Sequence, residues 1–132
     1  MTGTTAQPVA TAEAYVRFWN LDADAQRALG RTLFADDVAQ YAPVGVLAGL
    51  DALIDFTTQF AEHMGSYEFR ARREPEEHHG RIRVQWELVC RGASFAEGTD
   101  VLTLDGQGRI ATITTFLDRA PEGFDPHAHP SE

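Results

Sequence analysis

The chain has 132 residues, 43% apolar and 23% charged, the mix of one ordinary globular domain and long enough to bury a core without disulfide or metal staples. Eleven Lys and Arg against twenty Asp and Glu leave a formal charge of −9, a field that repels phosphate backbones and argues against nucleic-acid binding. The single Cys90 excludes an intrachain disulfide and a multi-cysteine zinc site; no apolar run approaches the ~18 residues of a membrane span, and Met1 to Gln7 lack the basic start and apolar stretch of a secretory signal, so the expectation is a cytoplasmic protein that does not engage membranes.

Residues 1–10 are mostly Thr, Ala, Gln and Pro and are expected to form a flexible N-terminus. Thr11 can cap a first helix, with Glu13 in its first turn. In it Ala12, Tyr15, Val16 and Trp19 fall on one face at i, i+3, i+4 and i+7, and Asn20 ends it. Asp22 or Asp24 opens a second helix whose inner face is Ala25, Ala28, Leu29, Thr32 and Leu33. Ala35-Asp36-Asp37 reads as a turn, Val38 to Ala42 as a short strand stopped by Pro43, and Val44 to Gly49 as a loop. Asp51 begins a third helix carrying Leu53, Ile54, Thr57, Phe60, Ala61 and Met64 at helical spacing, with Phe56 and His63 beside that stripe and Gly65 as its stop.

Strands follow. Tyr67 to Glu74 alternates, Glu76 to Gly80 turns, and Arg81 to Arg91 places Ile82, Val84, Trp86, Leu88 and Cys90 on one face. Gly92-Ala93-Ser94 is the next turn, then come a strand from Phe95 to Leu104, a hairpin signal at Asp105-Gly106-Gln107-Gly108, and a last strand from Arg109 to Asp118 with Ile113, Thr115 and Leu117 on one face. Residues 119–132 carry three prolines and no usable period, and are expected to be an extended tail. His127 and His129, with no third ligand at helpful spacing, read as solvated tail residues, and no metal is expected. Arg70, Arg72, Arg73, Arg81 and Arg83 read as the solvated edge of a sheet. Helices segregated from a run of antiparallel strands define an α+β domain over 11–118, helices on one face of a curved sheet. Around Tyr15 and Trp19 such a sheet leaves a concave apolar space, the default place for a ligand.

Five blocks in this order resemble the nuclear transport factor 2-like superfamily: Tyr15-Val16; Leu33-Phe34-Ala35-Asp36-Asp37-Val38; Pro43-Val44-Gly45; Gly49-Leu50-Asp51-Ala52-Leu53; and, most specific, the run from Gly98-Thr99-Asp100 to Arg109-Ile110. The style is closest to its SnoaL-like and ketosteroid isomerase-like branches, over about 11–118. The resemblance implies a cone-shaped roll of bent antiparallel sheet over three N-terminal helices, a pocket open at one end, no cofactor, and a homodimer joined through the outer sheet face. Its members range from isomerases, cyclases and dehydratases to non-catalytic binding and scaffolding proteins, so the fold leaves function open.

By the same resemblance Tyr15 stands where the isomerases carry an oxyanion-stabilising tyrosine, and Asp100 where they carry its acidic partner, or where the cyclases carry an acid/base aspartate. Parity puts Asp100 on a face with Leu102 and Leu104, where an apolar surround would favour a neutral acid able to donate. The isomerases' general base precedes Pro-Val-Gly, and here that position is Ala42; His63 is the candidate replacement. The catalytic candidates are thus Tyr15, Asp100 and His63. The ligand-binding candidates are Trp19, Tyr41, Phe56, Phe60, Trp86, Leu88, Leu102, Ile113 and Thr115, and Gln40 can donate a hydrogen bond beside Tyr41. The expected ligand is a small apolar or aromatic organic molecule. A non-catalytic binder or dimeric scaffold is the alternative.

Overall fold

The structure is a computed structural model that describes residues 2–121. Met1 and 122–132, with the expected tail histidines His127 and His129, lie outside the described residues.

Helix α1 spans Thr2–Phe18. It begins before Thr11, which is an interior helical residue and not a cap: Ala6, Ala10, Ala12 and Ala14 favour helix throughout, although Pro8 brings no N–H to it. Helix α2, Ala23–Leu33, opens on Asp22, whose carboxylate accepts from the Ala25 N–H at 2.9 Å. Helix α3, Leu50–Met64, has Asp51 in its first turn and His63 in its last, and stops at Gly65 with φ +76°, whose N–H bonds Ala61 O. At the crossing of α2 and α3 a Cβ on buried Gly30 would come within 2.5 Å of Leu50 Cδ1, so a glycine is what lets them approach.

The strands are β1 (Phe34–Ala42), β2 (Gly45–Ala48), β3 (Tyr67–Ala71), β4 (Glu76–His78), β5 (Arg81–Cys90), β6 (Ala93–Leu104) and β7 (Ile110–Arg119). They form one curved, unclosed sheet in the order β2-β1-β7-β6-β5-β3, with β4 added against the start of β5. The pairings β3–β5–β6–β7 are antiparallel. The sheet is nevertheless mixed, because β1 runs parallel to β7. Three local readings change. Asp36 and Asp37 lie within β1, at a register shift between Phe34 and Ala39, exposed as bulge residues are. The expected loop 44–49 contains β2, which pairs Tyr41 with Val46, and the expected turn at Glu76 contains β4. Both strands take their shape from a partner rather than from their own pattern.

Tight hairpins fix the register. His79-Gly80 and Arg91-Gly92 both have positive φ at both positions, +52°/+76° and +54°/+78°, the two-residue turn whose twist matches the strands it joins. At the end of β6, Asp105 accepts from the Gln107 and Arg109 N–H groups, which closes the β6–β7 turn. Helix α1 is tied to β3 by Asn20, whose amide donates to Phe69 O at 2.7 Å and accepts from Phe69 N at 2.8 Å, as a strand neighbour would. The core, with Tyr15, Phe18, Phe34, Leu53, Ile82, Leu102 and Ile113 all fully or nearly fully buried, fills the space between helices and sheet. Among the described residues no helix is long and apolar enough to cross a membrane.

Candidate functional site

Strand alternation turns Gln40 of β1, Trp86 and Leu88 of β5, Ala96 and Asp100 of β6, and Thr115 and Leu117 of β7 to the concave side, where α1 supplies Trp19, α3 supplies Phe56, Thr57 and Phe60, and β3 supplies Tyr67 and Phe69. Together they line a cavity of about 250 Å³, near the small end of ligand clefts, which run from about 300 to 1,000 Å³. Trp19, Phe69 and Trp86 form one wall, with ring centroids 6.2 and 5.3 Å apart in succession. Val44 and Phe56 line the cavity and are exposed as well, so they mark its mouth.

Asp100 lies on the floor, 2% exposed. The Tyr15 hydroxyl donates to its Oδ2, and the Trp86 indole N–H donates to its Oδ1 at 2.9 Å. Thr115, its cross-strand partner, is a third group that favours the charged form. Desolvation by burial raises the Asp100 pKa, the three donors pull against it, and the balance stands at about 6. Burial, and then the charge of Asp100, hold the Tyr15 phenol well above its ordinary value, so Tyr15 is a neutral donor wherever the protein is folded. The polarity of the pair differs from the sequence expectation of two donors: Asp100 accepts, and Tyr15 is committed to it.

The Trp86 indole reaches Asp100 because of Gly98. The two are cross-strand partners, and a Cβ at Gly98 would meet Trp86 Cζ2 at 2.2 Å and Phe116 O at 2.7 Å. The ring therefore lies across the bare glycine toward Asp100, two residues along the same face. Arg72 holds the same two strands from the edge, with Nε to Trp86 O and Nη2 to Gly98 O, each at 2.8 Å, and an ion pair to Asp118. Half-buried Arg72 thus differs from the solvated arginines around it. Sequence reading missed Trp86 as a donor and Arg72 as a clamp. The available signal was a lone glycine inside a strand, which marks close approach.

Gln40 extends the network. Its Nε2 donates to Thr115 Oγ1 at 3.0 Å, while its Oε1 is buried without a hydrogen-bond partner. The Trp19 indole N–H is also buried without one, beside the Tyr15 hydroxyl.

Of the sequence candidates, Trp19, Phe56, Phe60, Trp86, Leu88, Asp100 and Thr115 line the cavity. Tyr15, Leu102 and Ile113 sit behind it in the core. Tyr41 is turned to the other face of the sheet, 47% exposed, and its neighbour Gln40 faces inward in its place. His63 is an exposed residue of the last turn of α3, away from the cavity lining. Ala42 lies in the cavity wall. Among the described residues no three His, Cys, Asp or Glu side chains group as a metal site requires.

Comparison with known proteins agrees with this geometry. No family model and no curated protein matches the chain, but solved structures do. A candidate isomerase of the SnoaL-like family from Agrobacterium tumefaciens superimposes with a TM-score of 0.79 at 27% identity, over 86% of this chain and 98% of that one. A candidate SnoaL-like polyketide cyclase from Jannaschia gives 0.68 at 17%, over 86% of each chain, and a nuclear transport factor 2-like protein from Exiguobacterium gives 0.65 at 21%, over 82% of this chain and 98% of that one. Helices laid in a curved sheet around one inward cavity are the fold these nuclear transport factor 2-like structures share. Within that fold the chain is similar to SnoaL-like proteins.

Proposed function

We propose that the protein binds a small, mostly apolar organic molecule in this cavity and acts on it by cofactor-independent acid/base chemistry of the isomerase, cyclase or dehydratase kind. The observation that carries the reading is Asp100: a carboxylate of raised basicity on the floor of an otherwise apolar cavity. A general base works best with a pKa near the operating pH, and a raised pKa makes Asp100 a stronger base than an ordinary aspartate. In this reading Asp100 removes a proton adjacent to a carbonyl, the electron pair moves onto the carbonyl oxygen, and the proton returns to the same or another carbon. Tyr15 and Trp86 act through Asp100, holding it in place and setting its basicity. The candidate isomerase and the candidate cyclase among the similar structures support this class of chemistry.

One observation favours a non-catalytic binder: Ala42, in the cavity wall, offers no base where the resembled isomerases have theirs. Deuterium exchange separates the two. Both tryptophans of the chain line the cavity, so their fluorescence reports binding of a ketone such as 2-tetralone. Wild type should then exchange its α-protons in D₂O well above buffer, and Asp100→Asn should lose at least tenfold of that rate while still binding. Binding with exchange at the buffer rate would leave the binder reading in front. We also propose a homodimer through the outer face of the sheet, where Tyr41, Val46 and Phe116 are exposed apolar residues on adjacent strands β2, β1 and β7.

A further inference from the structure

We propose that the ligand of this cavity is a neutral molecule that carries a hydroxyl on its apolar body, a phenol or an enol, and that Gln40 Oε1 accepts the hydroxyl hydrogen. The inference rests on the reading of the cavity as a ligand site and adds the chemistry of what it selects.

The orientation of the Gln40 amide follows from counting hydrogens. Ionised Asp100 can only accept. Thr115 has one hydroxyl hydrogen, and Thr115 faces Asp100 across β6 and β7 and favours its charged form, as a donor does. Thr115 Oγ1 must then accept from its other neighbour, and Gln40 Nε2 stands there at 3.0 Å. The reverse placement of the amide would set Oε1 against a hydroxyl with no hydrogen left to give. The network therefore turns Oε1 away from Thr115, and in Gln40, itself only 9% exposed, that oxygen has no partner within the protein.

The lining around it is Phe56, Phe60, Phe69, Leu88, Phe95 and Leu117, none of which donates. The other hydroxyls and amides of the wall are committed, Thr57 to Leu53 O, Tyr67 to Trp19 O, Trp86 to Asp100, and Thr115 within the relay, while the unpartnered Trp19 indole N–H lies beside the Tyr15 hydroxyl and does not reach Oε1. A buried amide oxygen left without a donor is unfavourable. A ligand hydroxyl supplies the donor that the protein does not, whereas an apolar group in the same place leaves the oxygen unpaired. The Asp100 carboxylate a few bonds away repels anions, which excludes organic acids and phenolates. A cavity of about 250 Å³ suits a one- or two-ring body.

Calorimetric titration at pH 7.5 with 2-naphthol and 2-methylnaphthalene tests this, since the two share a shape and differ in the donor. Wild type should bind 2-naphthol at least tenfold more tightly, and the side-chain carbonyl ¹³C resonance of Gln40 should shift with 2-naphthol alone. Gln40→Met, similar in length and without the acceptor, should shrink the preference to twofold or less. Equal binding of the two probes by folded wild type overturns the inference and leaves the cavity reading standing. A preference that survives in Gln40→Met, or a Gln40 carbonyl that does not respond to 2-naphthol, overturns it as well. If neither probe binds wild type, the cavity reading fails and the inference falls with it.

Discussion

Asp100 is one residue under opposed influences, and the balance is measurable. Burial raises its pKa to about 6 from the ordinary aspartate value of 3.8, against the pull of Tyr15, Trp86 and Thr115. The ionisable group facing it is Tyr15 from α1, which stays protonated across this range; β5 and β7 contribute Trp86 and Thr115, which do not titrate. Between about pH 4 and 6 the folded chain thus holds a proton that the unfolded chain has released. Stability from this group is full below that window and is lost as pH rises through it, by about 3 kcal/mol. Urea unfolding of wild type and Asp100→Asn from pH 4 to 7.5 should show this loss in the difference between them, and Trp86→Phe, which removes a donor to the charge, should extend the loss to higher pH. Parallel curves for wild type and Asp100→Asn would show that the carboxyl titrates alike in both states. The inward direction of Asp100 was legible from its parity with Leu102 and Leu104, and its pairing with Tyr15 from the resemblance. The contribution of Trp86 was not, because a tryptophan on an apolar strand face looks like wall until a cross-strand partner shows where its ring must lie.

At the scale of elements, close approach of β5 and β6 at one glycine gives the site its shape. Gly98→Ala would drive a methyl into the Trp86 ring and the Phe116 carbonyl. Neither the ring, packed on Phe69 at 5.3 Å, nor the backbone can yield freely. We expect a loss of about 1–3 kcal/mol, seen as a lower melting temperature, together with a changed tryptophan emission as the indole leaves Asp100. An unchanged melt and spectrum would mean that the ring has room to move aside. Helices α2 and α3 and strands β3, β5, β6 and β7 were legible within a few residues, since each carries its own period. Strands β2 and β4 were not. Gly45–Ala48 and Glu76–His78 are short, exposed and without alternation, and they are strands only because β1 and β5 offer them an edge. The turn expected at Gly92-Ala93-Ser94 closes one residue earlier, on Arg91-Gly92, because a non-glycine residue at positive φ leaves no mark in composition.

For the whole molecule, the outer face of the sheet sets the expected assembly. Phe116 is 57% exposed on the strand next to Tyr41, and Tyr41 pairs with Val46, so the apolar side chains are contiguous and not scattered. Light scattering at high protein concentration should return about twice the chain mass of 14.6 kDa, and Phe116→Glu should shift the population toward the single chain while leaving the interior cavity intact. A wild-type mass of one chain would overturn the proposed dimer. The parallel pairing of β1 with β7, which no periodicity announces, has its own consequence for how the chain reaches this state. Phe34 finds its neighbour at Ile110, so the strand that joins the first hairpin to the rest of the sheet is the last of the described strands to be synthesised. Loop closure over that distance must be met before the pairing returns anything, which places the chain among the slower folders for its size. On the ribosome, α2, α3 and the β1–β2 hairpin wait beside an open sheet edge until β7 emerges, and the nascent chain spends that interval with its future interior uncovered.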